Sequence, residues 1–278
     1  MGLGILESLI YGLVSGLAEF FPVSSQAHQA LMLKMFGSSS AGNLTNFLVH
    51  AALLLALFLN RKDHIDHLRR THQLSSVPKR RRKHQPDQRR LMELRFLKTA
   101  TITMLVGYLL YPQIRTMTQS LAAVAVLLLI NGVILFVPLF LRNGNKDARS
   151  MTGLDSILLG ICGIAGLFSG ISRVGAGVSA SVARGADKEH ALNWVMLLSL
   201  PALICHLIYD VISIFTGGIG ALGLFAAIGY ALAAFGAFAG AYLSLHMMRT
   251  FSRRVGFSGF AYYCWGAALF TFILYLTI

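Results

Sequence analysis

Glu19, Ser24, Ser25 and His28 fall within ten residues, in the stretch EFFPVSSQAH at 19–28, and the chain around them is apolar. A second group, Ser169, Ser172 and Arg173, sits in LFSGISRVGAG at 167–177, among Gly166, Gly170, Gly175 and Gly177. Serine hydroxyls, an arginine and glycines that let backbone N–H groups approach a ligand form an anion site, best suited to phosphate. An arginine at membrane depth is costly and marks a functional site. His28 has the chemistry of a base, an acid or a nucleophile. If a helix starts near Ser24, Ser25 and His28 are three apart and share a face. Plainer uses exist for each piece. Ser24 and Ser25 can cap a helix, Glu19 can complement a helix N-terminus, and His28 can be a packed polar residue.

The elements that must position these groups are apolar. The chain has 278 residues, 55% hydrophobic and 13% charged, where a soluble domain carries about 25% charge. Several stretches of roughly 20 apolar residues are long enough to cross a bilayer as helices. This composition predicts an all-α integral membrane protein, and the alternating short strands of a β-barrel are absent from the pattern. Full spans are expected at 43–60, 96–112, 119–141, 191–214, 222–247 and 256–278. The stretches 3–36 and 154–186 each break near the middle, at EFFPVSSQAH and at LFSGISRVGAG. Broken backbone survives in a membrane only where protein or a wet cavity satisfies it. Both stretches are therefore expected to be re-entrant helical hairpins, with serines as N-caps.

Hairpin, three spans, hairpin, three spans is the order of an inverted repeat, 1–141 followed by 154–278. The charges fit: 13 of the 24 Lys and Arg lie between Arg61 and Lys98, including PKRRRKHQ. The positive-inside bias makes 61–95 a cytoplasmic loop and puts both termini outside. Such a loop also suits anionic lipid headgroups, with no call for nucleic acid. Cys162, Cys205 and Cys264 all fall in apolar segments, without metal-site spacing, and are expected to stay free. No basic n-region precedes the first apolar stretch, so no removable signal peptide is expected.

EFFPVSSQAH closely resembles the first signature of the bacterial undecaprenyl-pyrophosphate phosphatase family, and SGISRVGAG resembles its second. SLPALICHLIYD resembles that family's Pro-containing span ending in Asp, so the resemblance covers nearly the whole chain. It implies an integral enzyme of the bacterial cytoplasmic membrane, with an inverted-repeat fold and two re-entrant hairpins. Such an enzyme removes the terminal phosphate of a polyprenyl diphosphate, recycling the lipid carrier of peptidoglycan synthesis and conferring bacitracin resistance. By resemblance, Glu19, Ser25, His28 and Arg173 are the catalytic set, with Ser25 or His28 attacking or handling the proton. Ser24, Ser25, Ser172, Arg173 and Gly175 would bind phosphate.

The sequence departs from the family pattern at several positions. Ser15 stands where a carboxylate or amide is usual, Ser169 replaces a proline, Val174 a serine, and Gly177 a threonine. On the first span, Asn46 and His50 replace Glu and Gln. The family uses a divalent cation, Mg²⁺ or Ca²⁺, and hard cations want carboxylate oxygens. Glu19 is the retained carboxylate for such a metal, which could instead ride mainly on the substrate's diphosphate. These losses also admit a polyprenyl-phosphate flippase without chemistry, or a phosphatase for another lipid phosphate. Trp194, Trp265 and Tyr262–Tyr263 read as interface anchors or packing. The small-residue run at 220–242 reads as close helix packing within the chain, with a homodimer contact as the alternative. Asp210 either pairs with a cation or reaches the interface.

Overall fold

The structure, a computed structural model, describes residues 3–77, 87–117, 120–141, 144–254 and 257–277. The basic run PKRRRKHQ lies at 78–85, outside the described residues. All regular structure among the described residues is helical, apart from one isolated bridge between Lys146 and Ala186.

Helix α1 (Ile5–Phe20) begins where the Glu7 carboxylate accepts the Gly4 N–H, and Pro22 stands just past its end. Helix α2 (Ser25–Met35) follows after a four-residue break. Helix α7 (Gly153–Ala165) starts in a capping box between Thr152 and Asp155. Helix α8 (Arg173–Ala183) is capped by Ser172, whose Oγ accepts the Gly175 N–H at 3.2 Å. At 1.5 Å per residue these four helices are roughly 16–24 Å long, short of the ~30 Å hydrocarbon layer. An Asp155–Arg184 ion pair ties the start of α7 to the end of α8.

Between the hairpins run α3 (Asn43–Ser76), α4 (Gln88–Tyr108), α5 (Tyr111–Met117) and α6 (Leu121–Phe136). After the second come α9 (Lys188–Gly217), α10 (Leu224–Arg254) and α11 (Ser258–Thr277). Five helical segments are long and apolar enough to cross a membrane: Asn43–Ser76, Leu121–Phe140, Lys188–Gly217, Leu224–Thr250 and Ser258–Thr277. Large apolar side chains such as Val126, Leu129, Ile208, Phe215 and Phe270 point outward from them, a surface that needs lipid. The expected span at 96–112 is not one helix. Helix α4 closes with Leu109 and Leu110 N–H groups turning back three residues, and α5 restarts with Pro112 in its first turn. The first half of α4 carries Arg89, Arg90, Glu93, Arg95 and Lys98, which leaves too short an apolar remainder.

The 61–95 segment is also less of a loop than its charge suggests. Helix α3 runs unbroken to Ser76, and α4 begins at Gln88, where Asp87 accepts the Arg89 N–H. Asp66 sits three and four residues before Arg69 and Arg70, spacing that supports a charged helix.

The packing is reciprocal. Helix α1 lies along α10, and α7 lies along α4; α3 packs on α9, and α6 on α11. The α1–α10 contact is backbone-close. A Cβ at Gly16 would stand 2.3 Å from the Ala237 carbonyl oxygen, and one at Gly240 would stand 2.3 Å from that of Leu13. The small-residue run thus has its covering partner within the chain.

Candidate active site

The two breaks meet. Ser24 adopts φ 69°, ψ 100°, a left-handed conformation that costs a non-glycine residue about 1–3 kcal/mol. It occupies the N-cap position of α2 without capping it. Its Oγ instead accepts the N–H of Gly170, at 3.0 Å, from the other hairpin. Gly170 has φ 140°, a conformation that only glycine adopts freely.

Asn131 of α6 fastens the two tips together. Its amide nitrogen donates to the Pro22 carbonyl at 3.0 Å, and its oxygen accepts the Ser172 N–H at 2.9 Å. The side chain is fully buried. Sequence reading passes over it, although it is a lone amide in LAAVAVLLLINGVILF.

Arg173, the first residue of α8, is buried and reaches three helices. Nη2 pairs with the Glu19 carboxylate of α1, Nη1 donates to the Tyr108 hydroxyl of α4 at 3.3 Å, and Nε donates to Ser199 Oγ of α9 at 3.3 Å. Gly166 is what lets Arg173 sit there: a Cβ at 166 would lie 2.5 Å from the Arg173 Cβ.

Glu19, Ser24, Ser25, Ser172 and Arg173 line one narrow cavity of about 20 Å³, together with Gln26, Gly166 and His206. The serines differ in their commitments. Ser24 and Ser172 hydroxyls each accept a backbone N–H, whereas Ser25 Oγ has only 3.5 Å contacts, with the Ser15 carbonyl and Gln29. Two residues proposed from the sequence do not line this cavity. His28 is buried, but its Nδ1 faces the Ser24 carbonyl at 2.8 Å and its Nε2 faces the Tyr263 hydroxyl at 2.7 Å. A carbonyl can only accept, so Nδ1 carries the proton and Nε2 accepts from Tyr263. Gly175 packs on Leu135 and Pro22, and its N–H goes to Ser172.

Three of the positions that depart from the family pattern, Ser15, Asn46 and His50, make polar links instead. Ser15 Oγ accepts from Gln29 at 3.1 Å, and Asn46 Oδ1 accepts from the Tyr11 hydroxyl at 3.1 Å. His50 Nδ1 stands 2.6 Å from the Asp210 carboxylate, so Asp210 has its partner inside the protein. Among the described residues, no group of three or more His, Cys, Asp or Glu comes together to hold a metal ion. Glu19, the carboxylate in the cavity, is taken up by Arg173. Among the described residues, the side chains at this cavity therefore leave no free carboxylate to hold a divalent cation.

Residues 8–270 match the family profile described as bacitracin resistance protein BacA. The chain belongs to that family. Relatives within reach include undecaprenyl-diphosphatase 1 of Shouchella clausii, 29% identical over 276 residues, which is 98% of this chain and 96% of that one. Undecaprenyl-diphosphatase of Treponema denticola is 31% identical over 213 residues, 75% of this chain and 76% of its own. Undecaprenyl-diphosphatase of Methanobrevibacter smithii is 26% identical over 274 residues, 97% of each chain. Family membership makes the buried Glu19–Arg173 pair and the surrounding serines a candidate phosphate site. Tyr108 and Ser199 hold Arg173 from behind, and His206 lines the cavity.

Proposed function

We propose that this protein is an undecaprenyl-diphosphatase: it hydrolyses the terminal phosphate of undecaprenyl diphosphate and returns the monophosphate carrier to peptidoglycan synthesis. One observation carries the reading to these residues: the guanidinium of Arg173 faces a serine-lined cavity formed where the two hairpin tips meet. In this reading, Arg173 exchanges Glu19 for the substrate's phosphate oxygens and stabilises the charge that develops on them. Ser25, the least committed hydroxyl, attacks the terminal phosphorus. His28 holds the Ser24 carbonyl and thereby the strained backbone beside Ser25. A divalent cation, where one takes part, enters on the diphosphate itself, as Mg²⁺ commonly does.

The architecture we propose is six spans plus two re-entrant hairpins, in inverted halves 1–141 and 154–278. Helix α4 with α5 is the sixth span. The reciprocal packing of α1 on α10 and α7 on α4 supports the two-fold relation. The protein would sit in the bacterial cytoplasmic membrane, with both termini outside and the lipid tail of the substrate in the bilayer.

A substrate panel tests the reading. The purified protein in detergent, given undecaprenyl diphosphate, undecaprenyl monophosphate and phosphatidic acid at equal concentration, releases phosphate from the diphosphate at least about tenfold faster than from either monoester. Equal rates on phosphatidic acid would replace it with a general lipid phosphatase.

A further inference from the structure

Away from the hairpin tips, polar side chains gather again where α3, the start of α9 and the end of α10 meet. A cavity of about 350 Å³ lies there, and its lining includes Asn60, Arg61, Asp63, Glu189, Asn193 and Arg249. Ligand pockets run from about 300 to 1,000 Å³, so this one has room for a headgroup rather than a whole lipid.

Arg61 is the unusual member of the lining, because it is only 7% exposed. Asn193 Oδ1 accepts from its Nη1 at 2.6 Å, but among the described residues Nε meets no hydrogen-bond acceptor. Proteins pair their buried charges and satisfy their buried N–H groups. The charges that bear on Arg61, those of Arg249 and Glu189, are of opposite sign. Arg249 reaches across from α10, where Nη2 donates to the Asn60 carbonyl at 3.1 Å and to Asn60 Oδ1 at 2.9 Å. Two guanidiniums therefore stand at one cavity, and one of them has a buried N–H without an acceptor. A charged ligand oxygen, such as that of a phosphate, supplies it.

The depth of Arg61 points to where that phosphate comes from. Asn43, the first residue of α3, donates to the Ser213 and Gly218 carbonyls at the far end of α9, at 2.9 and 3.0 Å. Arg61 lies 18 residues further along α3. That is roughly 27 Å at 1.5 Å per residue, against a hydrocarbon layer of ~30 Å. Arg61 thus stands at the level of the lipid phosphates on the membrane face opposite the α9–α10 connection. In the proposed orientation this is the cytoplasmic face. The lining also selects the charge of the headgroup. Asp63 and Glu189 bring two carboxylates to the same cavity as the two guanidiniums. A bare phosphate or a phosphatidylglycerol headgroup carries negative charge alone and would face the carboxylates as well as the arginines. A phosphoethanolamine headgroup carries both signs, with its ammonium two carbons from the phosphate ester, and matches both sets.

We propose that this cavity binds the phosphoethanolamine headgroup of a phospholipid in the cytoplasmic leaflet. A phosphate oxygen accepts the Arg61 Nε–H, and the ammonium faces Asp63 and Glu189. Bound there, the headgroup clasps α3, α9 and α10 together at one end. The inference concerns a second site and does not rest on the phosphatase reading.

The test is binding of short-chain lipids to the full chain, delipidated in detergent and read by native mass spectrometry. The probes are dihexanoyl-phosphatidylethanolamine, dihexanoyl-phosphatidylglycerol and inorganic phosphate. Wild type should bind the ethanolamine lipid at least about tenfold more tightly than either other probe, the scale of one charge-assisted hydrogen bond. Arg61→Met keeps the apolar stem and removes the guanidinium, and should weaken that binding by at least about tenfold. The double variant Asp63→Asn with Glu189→Gln changes exposed side chains and carries the test if Arg61→Met misfolds. It should abolish the preference for ethanolamine over glycerol. An Arg61→Met protein that binds like wild type, or a double variant that keeps the preference, overturns the inference. Equal binding of phosphatidylglycerol by wild type overturns the zwitterionic headgroup, and equal binding of inorganic phosphate overturns a lipid source. A wild type that binds the ethanolamine lipid yet releases no phosphate from undecaprenyl diphosphate would overturn the phosphatase reading alone.

Discussion

Arg173 commits Nε, Nη1 and Nη2 to Ser199, Tyr108 and Glu19, which lie on three different helices. Few substitutions preserve that. Lysine keeps the charge but loses the planar fork. Arg173→Lys should therefore leave the protein folded and lower kcat/KM at least about 100-fold, the scale of a lost transition-state donor. A phosphate-release assay beside a melting curve checks both halves. Asn131 is the structural counterpart. Asn131→Ala leaves the Pro22 carbonyl and the Ser172 N–H buried without their partner. Each orphaned group costs about 1–3 kcal/mol, so thermal unfolding should show a loss of about 2–5 kcal/mol. The sequence marks Glu19, Ser24, Ser25, Ser172 and Arg173 because polar residues beside Pro or Gly are conspicuous inside apolar runs. It does not mark Asn131, Tyr108 or His206. One polar residue in a span reads as tolerable packing until the facing helix is known.

At the scale of elements, the hairpins are held by close backbone approach rather than by large side chains. Gly16 faces the Ala237 carbonyl and the Ala241 N–H, so an added methyl meets backbone that cannot swing aside. Gly16→Ala should cost about 1–3 kcal/mol by overpacking and tilt α1, the helix that carries Glu19. Gly266→Ala on α11 has nothing within 4 Å of the new Cβ and serves as the neutral control. A Gly16→Ala protein as stable as Gly266→Ala would mean that α1 and α10 are not packed this closely. The breaks in 3–36 and 154–186 are legible from Pro, Gly and Ser. The division of 96–112 into α4 and α5 is not, because Pro112 in an apolar run looks like a residue near a span's end. The extension of α3 to Ser76 is hidden for a different reason. A dense run of charge reads as loop, although its spacing also suits a solvated helix.

For the whole molecule, the predicted arrangement puts the α3–α4 connection on the cytoplasmic side and the α9–α10 connection outside. In a protein whose Cys162, Cys205 and Cys264 are replaced, a single cysteine at Ala221 should react with a membrane-impermeant maleimide in intact cells. One at Ser75 should react only after the membrane is opened. The reverse pattern would turn the protein over in the bilayer. Helix α1 packs on α10 and α7 on α4, so each broken stretch lies against a helix distant from it in sequence.

The central claim is that Ser25 and Arg173, from opposite hairpins, act on one phosphate. The most direct measurement is the initial rate of inorganic phosphate release from undecaprenyl diphosphate by wild type, Ser25→Ala and Arg173→Ala, all folded in the same detergent. The account predicts release by wild type and a loss of at least about 100-fold in each variant. Release by either variant near the wild-type rate would contradict a shared site, and no release by wild type would contradict the enzyme itself.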